Sequence, residues 1–221
     1  MISRQKTSLI IDLTPKFMEG ARSYPKKLGR YSCSQLHKML EAARLPWGLP
    51  PEKYFEPEEI TFEGAMRMIK GVQAHDLVQK YLDPSKVEKK FEYYYYGDGD
   101  YRNGTVKATD EEGNLEEPIF TVVGKVDYLP EDCVWEIKSS ETEFTKSKDY
   151  HDHQAKLYCT ICERPKAIIL QPLEDDSRFF LKQIGEVIRD DEWFEAEMRR
   201  LHNYHQRLEI IMKENARLHG E

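Results

Sequence analysis

Three side chains between Gly124 and Ser140, in GKVDYLPEDCVWEIKSS, have the types that gather a divalent cation: Asp127, Glu136 and Lys138. The segment reads as a β-hairpin turning at Pro130-Glu131-Asp132. Side chains alternate along a strand, so Glu136 and Lys138 point one way and Trp135 and Ile137 the other. If the hairpin is symmetric about Glu131-Asp132, Asp127 falls opposite Glu136. Cross-strand partners approach within about 5 Å, a spacing at which two carboxylates can hold one hard cation. The alternative for these residues taken alone is an exposed edge hairpin carrying a Glu/Lys pair.

Other elements must place those groups. A long helix is expected from about Thr61 to Leu82, stopped by Asp83-Pro84. Met68, Val72, His75, Val78 and Leu82 are spaced to form one continuous apolar face. His75 in that face is either a core histidine with a satisfied hydrogen bond or a metal ligand projected from a helix. A second helix is expected from about Asp149 to Glu163, ended by Pro165, and puts Gln154 and Tyr158 on one face. Around these lie a helix over 31–45 with Leu36, Met39, Leu40 and Ala43 inward, and an antiparallel meander over 86–128 with a strand at Thr105–Thr109. Short strands follow at Ala167–Pro172 and Arg178–Ile184, then a long charged helix over 190–218 docked through Trp193, Met198, Leu201, Tyr204, Leu208, Ile211 and Met212. Residues 46–58 form a Pro-rich loop with Trp47, Tyr54 and Phe55, which pack the loop down or stack on a base. The tyrosines Tyr93–Tyr96 are open to the same two uses. Residues 141–149 read as a polar loop.

A chain of 221 residues, 39% hydrophobic and 33% charged, suits one well-cored domain of the water-soluble type. No window approaches the length of a membrane span, and the apolar run Leu9-Ile10-Ile11 is short for a secretion signal, so an intracellular, cytoplasmic protein is expected, in the host cytoplasm if virus-encoded. The net charge is −7, but residues 1–30 carry Arg4, Lys6, Lys16, Arg22, Lys26, Lys27 and Arg30 against Asp12 and Glu19, a net of +5 that leaves −12 on the rest. A basic arm on an acidic body suits a phosphate-binding N-terminus and equally an ordinary solvated tail. Cys33, Cys133, Cys159 and Cys162 suggest no disulfide framework without a secretion signal.

In order, these motifs read Gly71-Val-Gln-Ala-His75, Gly124-Lys-Val-Asp127, Glu136-Ile-Lys138 and Gln154-Ala-Lys-Leu-Tyr158, preceded by Tyr31-Ser-Cys-Ser-Gln-Leu36. That series resembles the RecB-like branch of the PD-(D/E)XK nuclease superfamily, which includes the CRISPR-adaptation nucleases, over about residues 31–185. The resemblance implies an α/β fold with a central mixed β-sheet flanked by helices (a restriction-endonuclease-like core), here with a long C-terminal helix. The expected organisation is a basic arm, 1–30, and a single nuclease domain, 31–221.

The resemblance also implies a chemistry. Hydrolysing a phosphodiester adds hydroxide to an anionic phosphorus, for which a divalent cation neutralises charge and lowers the pKa of water. Asp127, Glu136 and the carbonyl of Ile137 would ligate Mg²⁺ or Mn²⁺, and His75 as a further ligand would tilt the preference towards Mn²⁺. Lys138 would orient or deprotonate the attacking water, with a pKa open to lowering. Gln154 and Tyr158 would position the DNA strand and the lysine, while Ser139 and Ser140 either contact a phosphate or cap a strand end. No cysteine follows Cys162, so the C-terminal cysteine trio of the adaptation nucleases is missing and no iron–sulfur cluster is expected. The expected function is a metal-dependent deoxyribonuclease acting on single-stranded DNA or DNA ends, compatible with a homo-oligomer and without a membrane partner. The alternative is an inactive nucleic-acid-binding or assembly subunit that keeps the fold.

Overall fold

The computed structural model of the protein describes residues 27–44, 60–140 and 142–219. All but the last four residues of the basic arm, and the loop with Trp47, Tyr54 and Phe55, lie outside the described residues, as does the side chain of Ala43. In chain order the elements are β1 (Arg30–Ser32), α1 (Cys33–Arg44), α2 (Phe62–Gln79), β2 (Val87–Tyr95), β3 (Phe120–Tyr128), β4 (Val134–Ile137), α3 (Asp149–Ile161), β5 (Lys166–Glu174), β6 (Phe179–Ile188) and α4 (Asp191–His219).

The strands form one six-stranded mixed sheet built around β3. Its long apolar run, Phe120, Val122 and Val126, is fully buried. Antiparallel β2 pairs with it from Val87↔Tyr128 to Tyr95↔Phe120 and so occupies one whole edge. The other edge is shared: parallel β1 takes Thr121 to Val123, and β4 meets β3 at Tyr128↔Trp135. Beyond β4 come parallel β5 and antiparallel β6. A strand flanked on both sides needs apolar or internally bonded side chains, and β4 and β5 supply them with Val134, Ile137, Ala167 and Ile169.

Helices α1, α3 and α4 share the main core with this sheet through Leu36, Leu40, Leu157, Met198, Leu201 and Leu208. The docking of α4 is also polar, since the Tyr31 hydroxyl and His205 Nδ1 are 2.7 Å apart. Towards its end α4 exposes Ile210, Met212 and Leu218.

Several expectations fail: Met212, expected to dock α4, is 43% exposed, and the helix expected from residue 31 begins only at Cys33, after β1. The apolar stripe of α2 is buried only in part: Met68 is 56% and Val72 59% exposed, whereas Val78 of the stripe is buried, as is Ala65. Helical spacing gives a stripe but not what lies against it, and α2 meets the body over a short contact. The strand at Thr105–Thr109 does not form either. Between β2 and β3 there are isolated bridges at Tyr94↔Gly104 and Thr109↔Leu115. The Asp110 carboxylate accepts the backbone N–H groups of Glu112 and Asn114, so this segment satisfies its own backbone locally instead of adding to the ladder. Among the described residues, no helix is long and apolar enough to cross a membrane.

Candidate active site

β3 and β4 part immediately after their single paired position. At the next opposed positions, Asp127 and Glu136, a side chain replaces the ladder: Asp127 Oδ2 accepts the Ile137 N–H at 2.7 Å. On its other side, β4 stays fixed to β5 through the Lys138 N–H and Leu170 carbonyl at 2.8 Å. The opened hairpin therefore holds its carboxylates without a bridging strand. Asp127 is 7% and Glu136 1% exposed.

Helix α2 delivers His75, whose Nδ1 lies 3.2 Å from Asp127 Oδ1. A glycine allows this approach, because a Cβ on Gly71 would meet Ser139 Oγ at 3.0 Å. Burial opposes protonation of His75, but hydrogen bonds to Asp127 and to the Ile137 backbone, with the charge of Asp127, outweigh it and raise its pKa.

Lys138 lies between Glu136 Oε2 at 2.8 Å and Gln154 Oε1 at 3.0 Å. The Gln154 amide then donates to the Tyr158 hydroxyl at 2.8 Å. One stripe of α3 thus positions the lysine. Burial alone would lower the Lys138 pKa, yet the charges of Glu136 and Asp127 prevail and raise it, contrary to the lowering allowed for from sequence. Burial pushes Glu136 the other way, up to about 8, with Asp127 adding to the shift and Lys138 opposing it. Glu136 Oε1 is buried with no hydrogen-bond partner among the described residues.

The glycine of the Asp127 motif has a steric reason. A Cβ on Gly124 would sit 2.3 Å from Phe91 Cζ and 2.8 Å from Tyr158 Cε1, whose rings cross edge to face at 5.2 Å. Gly124→Ala should therefore cost about 1–3 kcal/mol by overpacking. Thermal unfolding should show the loss as a fall in Tm of several degrees, and an unchanged Tm would remove this account of the glycine.

Of the predicted residues, His75, Asp127, Glu136, Ile137, Lys138, Ser139 and Gln154 line one cleft of about 350 Å³, and Ser140 and Tyr158 do not; Lys125, Ser34, Phe144, Tyr150 and His151 complete its wall. Two of these were legible but unused. Lys125 shares a strand face with Asp127 by the two-residue period, and Tyr150 lies four residues before Gln154 on the stripe of Tyr158. His151 is buried, and that burial, with the Lys138 and Lys148 charges, pushes its pKa down to about 4. A depressed histidine contributes stability above its ordinary pKa of about 6.5 that is lost as pH falls towards 4. Denaturant titrations at pH 7.5 and 5 should show a loss on the order of 1–3 kcal/mol attributable to this group. His151→Asn should flatten the profile by that amount, and an equally steep profile in the variant would refute the assignment.

A larger depression of about 740 Å³ between α1, α3 and α4 is ill suited to phosphate: Glu41, Asp149, Asp152, Asp190 and Glu197 outnumber Lys156 and Arg189 there. Cys33, Cys133 and Cys159 are buried, Cys162 is half-buried, and all four are free thiols. Among the described residues, no three His, Cys, Asp or Glu side chains are already grouped to take a metal ion.

No protein-family model and no curated protein matches the chain. Solved structures share its architecture, SSO0001 and LHK-Exo among them. SSO0001 aligns with a TM-score of 0.52 at 16% identity, over 85% of this chain and 81% of that one. LHK-Exo, an alkaline exonuclease from Laribacter hongkongensis, was crystallised in complex with dAMP; it aligns with a TM-score of 0.52 at 14% identity, over 93% of this chain and 98% of that one. The mixed sheet flanked by helices is thus a fold that this chain shares with an exonuclease along almost its whole length.

Proposed function

We propose that the chain is a divalent-metal-dependent deoxyribonuclease of the RecB-like PD-(D/E)XK type, acting on single-stranded DNA or DNA ends in recombination, repair or viral DNA metabolism. One observation carries the reading. A carboxylate in the protein interior, Glu136, has one oxygen on a lysine and the other without a partner, beside a second carboxylate, Asp127. A buried anion left half-satisfied is costly unless a cation completes it. The donor set is also right, since carboxylate and carbonyl oxygens are the ligands that Mg²⁺ and Mn²⁺ prefer. Asp127, Glu136 and the Ile137 carbonyl, with His75 beside them, would hold that cation, which would supply charge neutralisation and an acidified water.

The chain's own residues do the rest. Lys138, held from both sides, presents its ammonium where negative charge grows on the phosphate and orients the incoming water. Gln154 and Tyr158 fix the lysine. Lys125 also lines the cleft wall, its ammonium paired with the Glu88 carboxylate, and a phosphate would compete for it. The likeness to LHK-Exo, an exonuclease crystallised with dAMP, supports a deoxynucleotide substrate.

The second reading is a DNA-binding subunit without turnover. End-labelled single- and double-stranded DNA incubated with Mg²⁺, Mn²⁺ or EDTA separates the two. Cutting with either cation and none in EDTA is expected. Binding without cutting under every condition would establish the second reading instead.

A further inference from the structure

The cleft has an aromatic rim that none of the roles above uses. Tyr150 opens α3, lies at the cleft mouth and is 46% exposed. It shares that cleft with Lys138. His151 packs edge-on against both Tyr150, with ring centroids 4.3 Å apart, and Phe144, at 5.6 Å. Lys148 Nζ lies 5.1 Å from the Phe144 ring centroid and 5.8 Å from that of Tyr150.

This rim is held rigidly. Fully buried Gln171 on β5 accepts the Phe144 N–H at 2.8 Å and donates to the Thr142 carbonyl at 2.9 Å. The Ser147 N–H bonds to the Ile184 carbonyl at 2.8 Å, and Gly185 lacks the Cβ that would strike the Ser147 side chain. His151 Nδ1 accepts the Lys148 N–H at 3.4 Å, which fixes the ring that supports Tyr150. A loop pinned at both β5 and β6 presents its aromatic side chain with little ordering left to do.

An exposed tyrosine on a fixed base, one helical turn from the residue that holds Lys138, is placed for the nucleotide next to the reacting phosphate. A nucleobase offers its π-face only when unpaired, and stacking of this kind tolerates any sequence. Resting on the nuclease reading, we propose that Tyr150, backed by Phe144 and His151, stacks an unpaired base of the strand in the cleft, and that Lys148 pairs with that strand's backbone. The preferred substrate is therefore single-stranded DNA or a frayed end.

The test is coupling between this side chain and one base. Tyr150→Leu keeps an apolar side chain and loses the ring face, and should raise KM on single-stranded DNA roughly tenfold with kcat changed less than about twofold. Tyr150→Phe should restore wild-type behaviour. Scanning a single abasic site along the strand should reveal one position at which wild type loses a similar factor and Tyr150→Leu loses nothing further. Lys148→Ala should weaken binding uniformly across sequences and reduce the slope of log affinity against log salt by about one. If wild type cuts DNA while Tyr150→Leu matches it, or if its penalty persists at every abasic position, the stacking inference fails alone. If wild type neither binds nor cuts DNA, the functional reading fails with it.

Discussion

Lys138→Ala should abolish DNA cleavage, by about 10²–10⁴-fold or more, and should also destabilise the protein. The first effect follows from position: the ammonium is held 2.8 Å from Glu136 and 3.0 Å from Gln154, facing the cleft. The second follows from burial. Glu136 is 1% exposed, and truncating Lys138 removes its hydrogen-bond partner. Breaking a buried pair from one side typically costs about 3–5 kcal/mol, because the other charge is left behind. The double variant Glu136→Gln/Lys138→Met should regain most of that stability, since replacing both charges removes the burden together with the bond, and it should remain inactive. Denaturant unfolding and a cleavage assay on the same preparations decide the matter. If Lys138→Ala is inactive yet as stable as wild type, the ion pair has no structural weight. If Lys138→Ala still cuts, the lysine has no catalytic one.

How much of this was written in the chain depends on which physical rule governed each residue. The hairpin register was legible because Pro130-Glu131-Asp132 forces a turn and the flanking strands alternate by two; the observed pair Tyr128↔Trp135 is the one that symmetry about Glu131-Asp132 requires. Gln154 and Tyr158 were legible for the same reason on a helix, and they are hydrogen-bonded. The exposure of α2 was not legible, since Met68 and Val72 satisfy the helical period whether or not anything packs on them. Gln171 was invisible for another reason. In AIILQP it looks like the polar end of a buried strand, and only the fold shows both ends of its amide tying down a loop nearly thirty positions earlier in the chain. The aromatic rim was half visible: Tyr150, Gln154 and Tyr158 recur every four residues, but Phe144 and Lys148 reach the same place through a loop with no period to read. The separation of β3 from β4 at Asp127 was not legible at all, because it is a competition between a ladder bond and a side-chain bond for the Ile137 N–H, and the side chain wins.

Divalent cations should stabilise the protein even where no substrate is present. A ligand that binds only the folded state adds about 2.7 kcal/mol at a hundred times its Kd, which for a chain of this size is a rise in Tm of about 5–10 °C. The cause is local: Glu136 Oε1 has no partner among the described residues and Asp127 lies beside it, so in the folded protein a cation would find two carboxylate ligands, displacing the proton that burial favours on Glu136, and the unfolded chain offers no such pair. Asp127→Asn and Glu136→Gln should each remove most of the shift, and EDTA should reverse it in wild type. His75→Ala should weaken the Mn²⁺ response more than the Mg²⁺ response, because imidazole is a poor ligand for the harder ion. Equal shifts in wild type and Glu136→Gln would place the ion elsewhere. A shift confined to wild type, accompanied by no cutting of any DNA, would keep the metal site and leave the chain a binding subunit. Stability therefore separates the site from the reaction, which a cleavage assay alone cannot do.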